Sequence, residues 1–487
     1  VHMSRGLGDV YKRQQKNKKL LLKWLMLSIF VISITACQKD CELEPDDTTN
    51  DTTAINDTIP TDTIPTDTIP TDTIPTDTIP DMTEACNDSL LPVVVMHGFL
   101  ASGDTYATQF QRMTSNDYCA ERIFAFDWNS VGFGVDNTAA LDAFIDEVLA
   151  QTNAAKINLV GHSAGGDLGY SYLSDATRAE KVAHYVHLGS NYYDNAAGDG
   201  QIPTLNIWSS DDETVPGSDI PNATNLMLTG ADHYEVATNA ETFAEMYRFF
   251  NNGQEPETTE IETESEIIVS GKALSLGLNE ALANAEVSIY AVSSATGERL
   301  SATPDAVFTT DDGGFWGPFE VQANTNYEFL VAGSDANDRV IHYYREAFTH
   351  SNKLVYLRTL PPPFSLAGFL TNSLPSDDNQ SVMAVFAASQ AVINNRDELY
   401  VDGNELSTDE FASSEQTTIA FFLYDDGDYN TSLSSVGLFG SFPFLNGIDI
   451  FFDTAEPTTI SIEMNGRTLN VPNWKSETEG ITVVVFD

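Results

Sequence analysis

Basic residues are scarce in this chain. Across 487 residues, Lys plus Arg number 23 against 72 Asp plus Glu, a formal net charge of −49. That balance excludes a nucleic-acid surface, because phosphates need basic partners, and it disfavours anionic lipid headgroups. It fits an extracellular enzyme working on neutral substrates and kept soluble by self-repulsion. Cysteine is scarce too, with four residues at 37, 41, 86 and 119. No Cys/His grouping has zinc spacing. Asp311-Asp312-Gly313-Gly314 reads as a hairpin turn rather than a calcium loop. No metal and no cofactor are therefore expected. The apolar run at residues 24–34 is too short, and too one-sidedly flanked, for a membrane span. The length is too great for one core, so two to four domains are expected.

Residues 1–36 read as a signal segment: a basic patch at 16–23, then the apolar run. Within it, residues 1–14 resemble a translated sequencing-adapter fragment and take no part in the fold. The run ends in Ile34-Thr35-Ala36-Cys37, which resembles the lipobox of bacterial lipoproteins and implies lipid on Cys37. Gln38-Lys39-Asp40-Cys41-Glu42 resembles the signal that sends some Gram-negative lipoproteins to the outer face of the outer membrane. Residues 37–84 form a low-complexity linker. Asp-Thr-Ile-Pro recurs at 57, 62, 67, 72 and 77. Proline every fifth residue forbids helix and paired strand and favours extended polyproline geometry. Twenty-five such residues reach on the order of 75 Å as a semi-stiff spacer. Each repeat also resembles an Asp-Ser/Thr-aliphatic glycosylation sequon.

Ordered sequence begins near Ala85, and residues 85–252 alternate strand and helix. Strands are expected at 91–96, 122–126, 157–160, 182–188, 204–208 and 225–228. Helices are expected at 105–114 and 136–150, after Ser163, and around Phe243 to Phe250. This pattern predicts a mainly parallel sheet with flanking helices and a site at the carboxyl ends of the strands. A Thr/Glu-rich linker covers 253–266. Beyond it no long helical period occurs. Residues 267–360 read as a β-sandwich, with strands at 286–290, 319–321, 327–331 and 353–357. After Pro361-Pro362-Pro363, residues 361–487 form a second β-rich domain, with strands near 417–423, 448–452, 458–464 and 481–485.

One stretch carries chemistry. Asn158-Leu159-Val160-Gly161-His162-Ser163-Ala164-Gly165-Gly166 is G-x-S-x-G between a strand and a helix. Such a turn lifts a serine hydroxyl clear of the sheet and aims free helix N–H groups at a developing oxyanion. A serine nucleophile needs a base and an orienting carboxylate, in the order Ser, acid, His along this kind of chain. His184 and His187 fall inside a strand, and His342 and His350 fall in the β-region. His233 follows the last core strand and is the base candidate. The loop 209–216 offers Asp211 and Asp212, of which Asp212 is preferred; Asp232, Asp194 and Asp199 are outside candidates. Ala164 N–H supplies one oxyanion donor and Phe99 the other, while His97 shapes that loop. Trp128, Val131, Phe133 and Val135 suit an acyl pocket, a small lid or a packed loop. Cys86 and Cys119 bracket the first strand and helix and are a possible disulfide.

With these motifs in place, residues 91–250 resemble small bacterial triacylglycerol lipases of the α/β-hydrolase fold. His97-Gly98 after an apolar strand, Ser209-Ser210-Asp211-Asp212 and Gly230-Ala231-Asp232-His233 match that family's pattern; the resemblance supports Asp212. With the C-terminal half, the chain resembles long-chain lipases carrying an appended β-rich lipid-binding domain. Some of those take the acid after the previous strand, where this chain has Gly189 and Ser190. Residues 267–360 also resemble carboxypeptidase-regulatory β-sandwiches. The resemblance implies a Ser-His-Asp carboxylester hydrolase with a neutral lipid or ester substrate. It would meet a membrane only through its lipid anchor, on the outer surface of a Gram-negative cell. A polyester hydrolase or short-chain esterase is the alternative. A non-catalytic surface binding or adhesion lipoprotein is the alternative of another class.

Overall fold

Short apolar runs build the first sheet. Strands β1 (Val93–Met96), β2 (Ile123–Phe126), β3 (Ile157–His162), β4 (Val182–Leu188), β5 (Thr204–Ser209) and β6 (Thr224–Leu228) lie in the order β2-β1-β3-β4-β5-β6. Every pairing is parallel. These strands belong to a computed structural model that describes residues 87–487 apart from residue 133 and residues 335–337. The expected signal segment, Cys37, the repeat linker, Cys86 and Phe133 lie outside the described residues.

Side chains alternate across a strand, so successive residues enter opposite layers. Val93 and Val95 pack with Phe110, Met113, Phe243, Met246 and Phe250. These come from helices α1 (Ala107–Thr114) and, later in the chain, Ala240–Phe250. Val94 and Met96 pack instead with Leu141, Ile145, Val148, Leu168 and Leu173, from α2 (Asn137–Thr152) and α3 (Ala164–Leu173). A short helix α4 (Glu235–Thr238) precedes the closing helix, here α5 (Ala240–Phe250). Burying each large side chain contributes about 1.5–3 kcal/mol. The helix ends are set locally. Asp136 caps α2 through Ala139 N, Asn153 ends it at φ 50, and Asn239 caps α5 through Thr242 N.

The chain leaves β1 to form β2 on one side, then returns to form β3 on the other. The strand order therefore reverses between β1 and β3, and a crevice opens beyond their carboxyl ends. His97-Gly98 follows β1 and Ser163 follows β3, so both motifs meet at this switch point.

The rest of the chain is β-rich. Its first segment contributes β7 (Ile267–Ser275), β8 (Glu286–Val292), β9 (Ala306–Thr309), β10 (Phe315–Val321), β11 (Asn326–Ala332), β12 (Ile341–Arg345) and β13 (Leu357–Thr359). Then come helix α6 (Leu366–Thr371) and strands β14 (Met383–Ala387), β15 (Leu399–Val401), β16 (Asn404–Glu405), β17 (Ala420–Tyr424), β18 (Leu445–Asp449), β19 (Thr459–Met464), β20 (Arg467–Pro472) and β21 (Ile481–Phe486). An eight-stranded sheet runs β18-β17-β14-β21-β12-β11-β8-β9, beside sheets β10-β7-β13 and β16-β15-β19-β20. Strands from both sides of residue 360 thus share one sheet. The last strand, β21, is buried along its length and pairs in parallel with both β12 and β14.

Residues 353–357 do not form the strand expected of them. Pairing starts only at Leu357, while Leu354 and Tyr356 leave the β-region and join the core of the first sheet. Tyr356 Oη donates to Asp127 Oδ2 at 2.8 Å, so tertiary contact overrides local pattern here. Asp311 makes a turn, its carboxylate accepting from Gly313 N and Phe315 N. Residues Cys86–Asp487 form one compact unit. No helix among the described residues is long and apolar enough to cross a membrane.

Candidate active site

Ser163 stands between β3 and α3 at φ 54 and ψ −123. A non-glycine residue held there stores on the order of 1–3 kcal/mol of strain. Its neighbours must be small. A Cβ on Gly161 would meet Gly165 O at 2.4 Å, and one on Gly165 would meet Met96 O at 2.4 Å. The elbow is pinned from the next strand: Ser163 N donates to Leu188 O at 2.9 Å, and Ser190 Oγ donates to Ser163 O at 2.6 Å.

Asp212 and His233 come together although 21 residues separate them in the chain. His233 Nδ1 donates to Asp212 Oδ2 at 2.7 Å, with both side chains buried. The other carboxylate oxygen accepts from Thr214 N and Val215 N, each at 2.9 Å. The carboxylate is therefore fixed in orientation and in turn fixes the ring. Because Nδ1–H faces the carboxylate, Nε2 is the ring atom left free to accept a proton; it is buried and has no hydrogen-bond partner among the described residues. Ser163 Oγ and His233 Nε2 are not hydrogen-bonded in this structure, and such contacts often close only around substrate. His162 lies against His233, ring centroids 4.7 Å apart, and its Nε2 donates to His233 O at 2.8 Å. Burial lowers the His162 pKa well below the usual range, so that ring is neutral. Phe444, from the loop before β18, stacks on His233 at 5.5 Å.

The other candidates sit elsewhere. Asp211 is exposed, and its carboxylate accepts from Gly230 N at 2.7 Å, tying together the two loops that carry Asp212 and His233. Asp232 faces away, toward Arg396 Nη2 at 2.9 Å. Asp194 and Asp199 are exposed. His184 meets Asn158 Oδ1 at 2.8 Å. His187 is buried against Asn191 O, and burial lowers it to about 4. His342 pairs with Glu328, and His350 holds the linker at Glu262 O. Ser190 is occupied by the Ser163 carbonyl. Gly189 is the nearer alternative position for an acid: a Cβ there would lie 3.6 Å from both Asp212 Oδ2 and His233 Nδ1.

The two backbone donors expected for an oxyanion lie on the segments that meet at the elbow. Ala164 is the first residue of α3, and helix-leading N–H groups lack intrahelical acceptors. Phe99 N–H, in the loop after β1, has no partner among the described residues. That loop touches the elbow, since a Cβ on Gly98 would stand 3.1 Å from Ser163 Cβ. His97 holds the loop through Nδ1 and Gly98 O at 2.8 Å.

Trp128 is packed against the loop after β1. It stacks on His97 at 5.6 Å, and its indole N–H donates to His97 O at 3.0 Å. Val131 is buried and Val135 is exposed. An apolar cleft borders the loop after β1. It is lined by Phe99 and Tyr234 from the first sheet's loops, and by Leu370, Phe386, Phe422, Phe439 and Phe444 from the β-region. An ion pair of Arg358 with Asp104 also borders it. None of these β-region residues carries a sequence signal, because they reach the site only through tertiary packing.

Cys119 is disulfide-bonded. Among the described residues, Asp425, Asp426 and Asp428 are close enough to share a cation. They form a turn after β17 in which Asp425 already accepts from Gly427, Tyr429 and Asn430 N–H groups.

A family model for the α/β hydrolase fold matches residues 92–224, and one for the lipase C-terminal domain matches residues 265–362. A third, described as a C-terminal domain, matches residues 383–487. Among solved structures, the chain is similar to a Bacillus licheniformis lipase at 15% identity, covering 34% of this chain and 94% of that one, TM-score 0.29. It is similar to an esterase from Rhodococcus sp. ECU1013 at 17% identity, covering 34% and 93%, TM-score 0.28. It is also similar to lipase B of Aspergillus fumigatus at 16% identity, covering 37% and 57%, TM-score 0.30. Residues 92–224, with their parallel sheet, therefore carry an α/β hydrolase fold, and residues 265–362 match the C-terminal domain of lipases.

Proposed function

We propose that the chain is a lipase that cleaves long-chain esters, triacylglycerols in the first place, through an acyl-enzyme on Ser163. His233 Nε2 takes the Ser163 proton as Oγ attacks the ester carbonyl. Asp212 keeps Nδ1–H in place and offsets the charge that the ring gains. Phe99 and Ala164 N–H groups receive the oxyanion. His233 then protonates the departing alcohol, and water releases the fatty acid by the same steps in reverse order.

The observation that carries the long-chain reading is the apolar cleft. Its lining includes Phe99 and Phe444, the residue stacked on His233, so an acyl chain bound there would lie beside the Asp212–His233 pair. Each buried methylene contributes about 0.8 kcal/mol, close to fourfold in kcat/KM. A six-carbon extension is then enough to separate long from short esters by orders of magnitude. The lipobox-like Cys37 and the repeats support a form tethered to the outer membrane surface; loss of cell-bound activity in Cys37→Ala would test that.

The test compares wild type, Ser163→Ala and Ala388→Phe on p-nitrophenyl esters from short to long chains. Ala388 lines the cleft. Ser163→Ala should lose activity by on the order of 10⁶-fold. Ala388→Phe should lose at least tenfold on long chains and keep short-chain turnover. Activity on short chains alone in the wild type would point to an esterase or polyester hydrolase. Activity that survives Ser163→Ala would remove the nucleophile.

A further inference from the structure

We propose that Asn279, in the loop after β7 of the lipase C-terminal segment, is a positioning residue for the oxyanion donor Phe99. The inference rests on the reading of Phe99 N–H as that donor.

Asn279 is buried and crosses into the first domain. Its side-chain nitrogen lies 2.9 Å from Ala101 O, 3.0 Å from Trp128 O and 3.0 Å from His97 Nε2. Two of these are carbonyl oxygens, which only accept, so the amide nitrogen and not the oxygen must face this cluster. Its two hydrogens serve those carbonyls, and His97 Nε2 can only share one of them. Trp128 N–H approaches the same atom at 3.2 Å. Nε2 accepts from Trp128 N–H and the Gly98 oxygen can only accept, so the His97 proton sits on Nδ1. Nδ1–H donates to Gly98 O at 2.8 Å.

The consequence passes through one peptide plane. In a trans peptide the carbonyl and the next N–H point in opposite directions. Holding Gly98 O toward His97 turns Phe99 N–H the other way, where it finds no partner among the described residues. Without Asn279, the Ala101 and Trp128 carbonyls lose their shared donor and Nε2 keeps only Trp128 N–H, so the loop that holds Gly98 O toward His97 is tied down less tightly. Asn279 itself sits at φ 57, a conformation that Asn, Asp and Gly tolerate. The appended domain thus sets the aim of an oxyanion donor without touching substrate.

Two variants keep that backbone conformation: Asn279→Gly removes the amide, and Asn279→Asp replaces donors by acceptors of the same shape. Both should lower kcat about 10- to 100-fold on short esters, less than the loss of a whole oxyanion donor, with KM within about twofold. Affinity for a boronic-acid inhibitor, whose tetrahedral adduct places an oxygen at the oxyanion position, should fall by the same factor. His97→Phe should give a similar loss that Asn279→Gly does not deepen. Ser163→Ala is measured beside them. If it is inactive while both Asn279 variants keep wild-type kcat and inhibitor affinity, the positioning role fails and the serine mechanism stands. If Ser163→Ala stays active, the mechanism itself fails. If KM rises and inhibitor affinity holds, Asn279 is only structural.

Discussion

At the residue scale, the site turns on which carboxylate holds His233. Asp211 and Asp212 are neighbours, yet only Asp212 reaches the imidazole, because the turn spends Asp211 on Gly230 N. Asp212→Asn should lower kcat on the order of 10⁴-fold, since an amide stabilises the wrong tautomer. Asp211→Asn should cost less than about tenfold. Gly189 adds a sharper check. Its φ of 47 suits Asp, and its Cβ direction leads to the same Nδ1. Gly189→Asp placed in the Asp212→Asn background should restore part of the lost kcat. No recovery, with the double variant folded by its melting curve, would mean that the loop position cannot present a carboxylate to the ring.

At the element scale, the loop carrying His233 is clamped from the β-region. Arg396 pairs with Asp232 at 2.9 Å and with Glu235 at 2.7 Å, on either side of the histidine in sequence. Glu235 is raised to about 7, by burial first and by the Asp232 carboxylate second, against the pull of Arg396. The folded state therefore keeps a proton that the unfolded chain gives up near the ordinary 4.5. Stability falls as pH rises from about 4.5 to about 7, because the folded state binds more protons over that window. Glu235→Gln removes this titration. The melting temperature of wild type minus that of the variant should be flat below pH 4.5, decline to pH 7 and level off above it. A difference that climbed with pH would put the Arg396 pair, not burial, in control. The same clamp shows what sequence could and could not reveal. The strand at Val182–Leu188, the elbow around Ser163 and the Asp212 and His233 candidates were legible, because strand alternation, turn chemistry and chain order are local signals. Arg396, Phe444 and Asn279 were not. Their roles exist only where strands 100 or more residues apart in sequence pack against the first sheet, and nothing near them marks that meeting.

At the scale of the molecule, the β-rich half is built into the catalytic half. Lys272 Nζ meets Asp127 Oδ2 at 2.6 Å, Lys353 donates to Ile123 O at 2.6 Å, and Leu354 and Tyr356 complete the core beneath β1 and β2. Asp127 in turn fixes Gly103 N at 2.8 Å, at the start of the turn that leads into α1. A chain ending at Asn252 would strip Asp127 of its cation and expose the apolar side chains that Leu354 and Tyr356 cover, at about 1.5–3 kcal/mol for each large side chain fully exposed. That is a large share of the 5–15 kcal/mol on which a folded domain rests. Removing the β-region should therefore abolish turnover of even short esters that need no long cleft, and should lower the melting temperature steeply. The full chain should unfold in one calorimetric transition over residues 86–487, since β21 joins both β segments and the interface joins them to the first sheet. Two separated transitions, or a truncated chain that hydrolyses short esters at the wild-type rate, would show instead that the catalytic sheet stands alone and that the β-region serves only to hold substrate.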